Sequence, residues 1–215
     1  EINAAAATAA EITPGDAPGY PVTISRGGSY RLTGDLTTSS RAVVLVDITA
    51  DRVTLDLNGF TVGTCLSGLA CGIGTANAIQ AGNLIRQMKV HNGVVAGAGG
   101  VCVVTGVHAV LEDLRIQGCG IDGIRVQEDS QISHVNVADV ARYGITTGSG
   151  VLLKDSTISG SGEAGVYVGF NTWLVDNVIR NNKGAIAAGS GATWTIGGYR
   201  GCLITQNDGF NEVQP

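Results

Sequence analysis

Four residues that could take part in acid–base chemistry recur every 21 positions in the middle of the chain. They are Asp113, His134, Asp155 and Asp176. Carboxylates on both sides of an imidazole could transfer protons during cleavage of a polysaccharide. Asp155 and Asp176 could also offer oxygen ligands to a hard cation such as Ca²⁺, although no other part of the sequence supports a metal site or any other cofactor.

A second set of candidates for catalysis is Arg125, Arg142 and Tyr143. A lyase that acts on a uronic acid needs a basic residue beside a group that neutralises the uronate, and these three are the nearest such set in the chain. The alternative interpretation is an ordinary solvated face, because neighbouring outward positions do not repeat the same chemistry.

A structural role also explains the spacing of the first set. Asn and Asp adopt left-handed backbone conformations readily, and their side chains bond to nearby backbone at bends. The pattern "L-x-D-x-x-I" places each of these residues between two short apolar runs, where a bend must occur. We therefore interpret the row first as a series of bends and only second as a catalytic or metal-binding site.

The period of 21 residues runs through several apolar positions as well. One row joins Val103, Ile124, Ile145 and Val166; a second joins Val90, Leu111, Ile132, Leu153 and Leu174; a third joins Val95, Ile116, Val137, Ile158 and Ile179. Short alternating runs broken by Gly, Ser, Asn and Asp indicate strands and turns, and units this short must stack to bury a face.

Such stacking predicts an all-β fold, a single right-handed parallel β-helix of about seven three-sided coils. We assign residues 31–215 to the solenoid. Residues 1–30, Ala-rich and then Pro-rich, form an N-terminal segment that either caps the first coil or contacts a neighbouring subunit.

Composition excludes several classes of protein. Glycine accounts for 33 of 215 residues, aromatic residues for 5% and charged residues for 14%, and the formal net charge is −5. The basic residues are scattered, which argues against nucleic-acid binding. No apolar run is long enough for a membrane-spanning helix, so we expect no membrane insertion. The absence of an initiating Met leads us to expect that a signal peptide has been removed.

Five cysteines bear on the compartment in which the protein works. Cys65 and Cys71 lie in one short segment without a zinc-type partner pair, so a loop disulfide between them is favoured over a metal site. Cys102 and Cys119 could form a second disulfide at neighbouring corners. Cys202 would then be unpaired, as a buried thiol or an intermolecular link. Disulfides imply an oxidising compartment.

Three segments resemble a group of secreted bacterial right-handed parallel β-helix repeat proteins. They are "EITPGDAPGYPVTISRGGSYRLTGDL" (11–36), "ITADRVTLDLNGFTVGTC" (48–65) and "MKVHNGVVAG" (88–97). The resemblance implies the fold and export to the extracellular space or the bacterial cell surface. It carries over no catalytic residue.

Two functional hypotheses follow. The leading one is a non-enzymatic structural or matrix protein at the cell surface, with itself as partner in end-to-end assembly, because the chain has few charges and solenoid ends invite further pairing. The alternative is a β-helix that binds or cleaves an acidic polysaccharide, as a lyase, hydrolase or epimerase. A convergence of Asp, Arg and aromatic side chains on one face would favour the alternative.

Overall fold

The computed structural model describes residues 1–9, 12–64, 76–188 and 198–208. These residues form one short helix, α1 (Ala4–Ala9), and a long series of short strands. The strands are, in chain order, β1 (Val22–Ile24), β2 (Gly28–Arg31), β3 (Leu36–Thr38), β4 (Val46–Ile48), β5 (Val53–Asp56), β6 (Thr61–Thr64), β7 (Ile79–Ala81), β8 (Lys89–Ala96), β9 (Val103–Val104), β10 (Val110–Gln117), β11 (Ile124–Val126), β12 (Gln131–Ser133), β13 (Asn136–Val140), β14 (Ile145–Thr147), β15 (Leu152–Lys154), β16 (Thr157–Ser161), β17 (Ala164–Val168), β18 (Trp173–Val175), β19 (Val178–Arg180), β20 (Gly184–Ala188), β21 (Gly198–Arg200) and β22 (Leu203–Thr205).

The strands stack into two parallel sheets. An eight-stranded sheet has the order β1-β4-β7-β9-β11-β14-β17-β20. A fourteen-stranded sheet forms the other two sides of each coil, and the eight-residue strands β8 and β10 run through both of these sides. The fold is therefore the predicted parallel β-helix, and the described strands make about eight turns where the sequence predicted about seven. The additional turn begins at β1, upstream of the regular repeat.

The rows of apolar residues found in the sequence are the core. Ile124 pairs with Ile145, which pairs with Val166, and all three are fully buried. Leu153 likewise lies between Ile132 and Leu174 in the fourteen-stranded sheet. Parallel strands in register bring residues one period apart side by side, so each inward row becomes a continuous apolar column.

Each regular coil turns three corners, and a residue with positive φ occupies each one. These φ values lie between 50° and 72°. The rows are Gln87, His108, Asp129, Gly150 and Asn171; Asn92, Asp113, His134, Asp155 and Asp176; and Gly97, Gly118, Asp139, Gly160 and Asn181. Gly, Asn and Asp predominate because they enter the left-handed region at the lowest cost. This preference explains why these three rows of the sequence consist mostly of Gly, Asn and Asp.

The N-terminal residues pack on the first coil. Ile2 forms a parallel bridge with Leu32, and Ile2 and Ala7 are both part of the buried apolar cluster. The N–H of Gly19 donates to the carbonyl of Ala7 at 2.7 Å, which holds α1 against the segment that leads into β1. The described part of the chain contains no helix with the length and apolarity needed to cross a membrane.

A disulfide joins Cys102 and Cys119, which are 17 residues apart and both buried. It links the start of β9 to the corner that follows β10, and so ties together the ends of nearly one coil. Cys202 is a free, half-buried thiol whose sulfur lies 3.9 Å from the amide nitrogen of Asn177. The predicted Cys65–Cys71 disulfide falls outside the described residues.

Candidate functional site

The candidate residues from the sequence lie in two separate places. One group stands at the corner between the two sides of the fourteen-stranded sheet: Asp113, His134, Asp155 and Asp176. The other group lies on or beside the eight-stranded sheet: Arg125, Arg142 and Tyr143. The two groups therefore do not form one catalytic centre.

The corner row has an imidazole between two carboxylates. Nδ1 of His134 lies 3.9 Å from Oδ1 of Asp113, and its Nε2 lies 3.9 Å from Oδ2 of Asp155. These separations are too long for hydrogen bonds, and the three side chains are 63%, 58% and 41% exposed in the order Asp113, His134 and Asp155. Water and salt weaken interactions of this kind. The positive φ of each residue gives the row a backbone role that needs no ligand.

The row ends at Asp176 and Gly201. A Cβ on Gly201 would stand 1.9 Å from Oδ1 of Asp176, so any larger residue there would require the Asp176 carboxylate to rotate. Among the described residues, no three His, Cys, Asp or Glu side chains are grouped so that they could hold a metal ion. Asp155 and Asp176 thus have no third such ligand within that part of the chain.

The second group is organised by a buried carboxylate. Asp122 is 1% exposed, and its Oδ2 accepts a hydrogen bond from a terminal nitrogen of Arg125 at 2.6 Å and another from the hydroxyl of Thr146 at 3.2 Å. Its Oδ1 accepts the backbone N–H of Tyr143 at 3.4 Å. Arg125 lies in β11 and Thr146 in β14, adjacent outward positions of the eight-stranded sheet. Asp122 therefore fixes the guanidinium of Arg125 on that outer face.

Two tyrosines and a second arginine continue this arrangement. The rings of Tyr143 and Tyr167 have centroids 4.9 Å apart and planes tilted by 39°. The guanidinium carbon of Arg142 lies 4.7 Å from the centroid of the Tyr143 ring, and its Nε is 3.5 Å from Oε1 of Glu163. We call Asp122, Arg125, Arg142, Tyr143 and Tyr167 the Arg–Tyr cluster.

Protonation in the cluster follows from these contacts. Burial raises the pKa of Tyr143, and its hydrogen bond to Glu163 raises that pKa further, against an opposing effect of Arg142. The hydrogen bond to Tyr143, together with the charges of Asp122 and Glu163, raises the pKa of Arg142. At neutral pH the phenol is therefore protonated and the guanidinium is charged. Both groups can therefore donate hydrogen bonds.

The repeat did not lead us to predict a functional role for Glu163, Asp122 or Tyr167. Glu163 lies one period after Arg142, so the repeat itself contains the signal for that ion pair. Asp122 stands in a row with Val101, Tyr143 and Ala164, and a carboxylate one period before the candidate Tyr143 was the available signal. Tyr167 lies two periods after Arg125, but that spacing gives no sign of its contact with Tyr143.

Comparison with known proteins identifies the family. A family model described as "Right handed beta helix region" matches residues 67–211. No curated protein sequence gives a significant match.

Two solved structures align with this chain, and one of them shows a similar fold. The Dettilon tailspike protein gp208 aligns over 81% of this chain with a TM-score of 0.65 and 12% identity. The A-module of mannuronan C-5 epimerase AlgE4 from Azotobacter vinelandii aligns over 74% with a TM-score of 0.35 and 16% identity. The alignments cover 39% of the tailspike chain and 58% of the epimerase module. At 12% identity the similarity to the tailspike protein concerns the fold alone.

Proposed function

The chain belongs to the right-handed β-helix family, and on that fold we propose that it binds an acidic polysaccharide on the outer face of its eight-stranded sheet. The observation that carries the proposal is the Arg–Tyr cluster. Two cationic side chains, two tyrosine rings and a buried positioning carboxylate meet on adjacent coils of that face.

The arginines suit a ligand that carries carboxylates. A guanidinium presents five N–H donors in a planar fork that matches a carboxylate. Asp122 engages one terminal nitrogen of Arg125, and the Arg125 side chain remains 38% exposed. Arg142 is 44% exposed at its contact with Glu163. Both arginines therefore keep N–H donors that face solvent and can reach a uronate.

The tyrosines suit the rings of the same ligand. A phenol ring offers a flat apolar surface and a hydroxyl at its tip, the combination that amphipathic ligands need. Tyr143 and Tyr167 are both half-buried, so their orientation is set before a ligand arrives. Pre-ordered side chains reduce the entropy lost on binding.

We infer binding rather than cleavage, because both groups that a lyase would need as a base are protonated at neutral pH. We also propose that the protein works outside the cytoplasm. The Cys102–Cys119 disulfide supports that location, since such bonds persist in oxidising compartments.

Calorimetric titration with polygalacturonate tests this function. The wild-type protein should bind the polymer, and Arg142→Gln should weaken binding about tenfold, since hydrogen bonds to charged groups are worth about 1.5–3 kcal/mol. Arg180→Gln is the matched control, because Arg180 is exposed on β19 of the other sheet. An uncharged galactan should bind weakly to all three proteins. Equal affinity of wild type and Arg142→Gln for polygalacturonate would refute the proposed site.

Self-association is a second candidate, favoured by exposed apolar side chains near the last coils. Trp173 is 51% exposed and Leu203 is 54% exposed. The contacts of Ile2 and Ala7 with the first coil support capping of that end, so we propose lateral rather than end-to-end contact. Light scattering should show a concentration-dependent mass that falls in Trp173→Ser. A constant monomer mass in the wild type would exclude this candidate.

A further inference from the structure

A depression of about 480 Å³ lies on the eight-stranded sheet, on the N-terminal side of the Arg–Tyr cluster. Its polar lining includes Asp47, Thr49, Asn77 and Gln80, and its apolar lining includes Ile85 and Val104. Gln80 pairs with Val104 in the sheet, and Val104 pairs with Arg125. The depression and the cluster are therefore successive parts of one outward strip, with Gln80 two strand spacings, about 10 Å, from Arg125.

A chain of hydrogen bonds fixes the polar groups of the depression. The N–H of Val101 donates to Oδ1 of Asn77 at 2.9 Å, and Nδ2 of Asn77 donates to Oε1 of Gln80 at 3.1 Å. Nε2 of Gln80 then donates to Oδ1 of Asp47 at 3.2 Å. Because an amide nitrogen carries two N–H groups, Gln80 keeps one donor without a partner among the described residues. A directed donor thus stands beside the carboxylate of Asp47.

The loop after β7 makes the wall of the depression. The side-chain Oδ1 of Asn83 accepts a hydrogen bond from Nε2 of Gln127 at 3.3 Å, and the backbone N–H of Arg86 donates to Oδ1 of Asp51 at 2.8 Å. Any Cβ on Gly106 would stand 1.9 Å from the carbonyl oxygen of Ile85, so glycine alone lets the loop lie this close to the coil. The loop is therefore held at several points, which keeps Ile85 in the lining of the depression.

We propose that this depression binds an acyl substituent, such as an O-acetyl group, on the same polysaccharide whose carboxylates the Arg–Tyr cluster binds; the inference rests on the proposed function. The free N–H of Gln80 donates to the acyl carbonyl, and the methyl group lies against Ile85 and Val104. The charge of Asp47 disfavours a uronate here, which directs carboxylates toward Arg125 and the uncharged substituent toward Gln80.

The test uses polygalacturonate that is O-acetylated and free of methyl esters, and the same batch after deacetylation with mild alkali. Calorimetry compares the wild type, Gln80→Leu and the control Gln131→Leu, in which an exposed glutamine of β12 on the other sheet is changed. The wild type and the control should bind the acetylated polymer about fivefold more tightly, the value of one net hydrogen bond. Gln80→Leu should bind both polymers equally, with the affinity of the wild type for the deacetylated one.

Three outcomes would overturn the inference. Equal affinity of the wild type for the two polymers removes the acyl site and leaves the proposed function in place. Retention of the fivefold preference by Gln80→Leu places the recognition elsewhere. Failure of the wild type to bind either polymer refutes both the inference and the proposed function. If Gln80→Leu does not fold, Ile85→Ser on the loop replaces it, with the same loss of preference expected.

Discussion

The carboxylate of Asp122 is almost completely buried, and its Oδ2 lies 2.6 Å from a guanidinium nitrogen of Arg125 whose side chain reaches solvent. The pair therefore has an inner half and an outer half. The buried carboxylate of Asp122 also accepts hydrogen bonds from Thr146 and from the backbone N–H of Tyr143. The guanidinium of Arg125 presents its other N–H donors on the outer face of the sheet. Arg125 therefore contributes both to the stability of the coil, by neutralising buried Asp122, and to the hydrogen-bond donors on the outer face.

Removal of Arg125 alone should destabilise the protein. Arg125→Gln leaves the charge of Asp122 buried without its cation, at a cost of about 3 kcal/mol in the free energy of unfolding. The double variant Asp122→Asn/Arg125→Gln should lose less, since it contains no buried charge. Urea denaturation measures both, with Arg180→Gln expected to stay within about 0.5 kcal/mol of wild type. A double variant less stable than Arg125→Gln would contradict this account.

Tyr143 should ionise at unusually high pH. Its pKa is raised from 10.0, chiefly by burial, so the native state holds the proton more tightly than the unfolded state does. Stability from this group is complete below pH 10 and is lost as the pH rises through the native pKa. The difference in absorbance titration between wild type and Tyr143→Phe isolates this phenol. A midpoint below pH 10 in that difference would be the contrary result.

The corner row should depend on backbone conformation rather than on charge. Replacement of Asp155 and Asp176 together by Asn should leave stability nearly unchanged, because Asn also accepts positive φ. Asp155→Val should cost about 1–2 kcal/mol, the penalty for a β-branched residue in the left-handed region. Thermal and urea unfolding of the two variants give the comparison. A double Asn variant that lost a bound cation or an activity would show that the carboxylates do more.

Loss of the Cys102–Cys119 disulfide should lower stability. The bond closes a loop with a sequence separation of 17, for which the loop-entropy relation gives about 3 kcal/mol. The variant Cys102→Ala/Cys119→Ala should therefore unfold at a lower urea concentration than wild type, with a similar slope. Cys202→Ala serves as the control, since Cys202 is a free thiol. An unchanged midpoint in the double variant would argue against this contribution.

The period of the sequence can indicate contacts between residues one coil apart, and only those. Leu153 beside Leu174 and Arg142 beside Glu163 are such contacts, because in-register stacking makes neighbours of equivalent positions. The contact of Tyr143 with Tyr167 is one period plus three residues long, and it depends on how side chains lean across a corner. Spacing alone carries no information about that lean.

The depression could not be predicted from the 21-residue repeat either. Asp47 and Gln80 are neighbours in the sheet although they are 33 residues apart, because the sequence between them holds an insertion relative to the period of 21. A fixed period cannot align positions across an insertion of that kind. The left-handed corners could be predicted from the sequence more readily, since Asn and Asp recur there for a local conformational reason.

The three left-handed corners of each regular coil make that coil a unit that can be copied. Corners of this kind close a coil by local conformation, so a tandem duplication of residues 124–144 would insert a complete coil without altering the bends on either side. The molecule would become longer by one strand spacing, about 4.8 Å. The duplicate would add a second copy of Arg125 to the outer strip. Proteins of this design can therefore match the length of a polymeric ligand by whole-coil gain or loss, with no change in diameter.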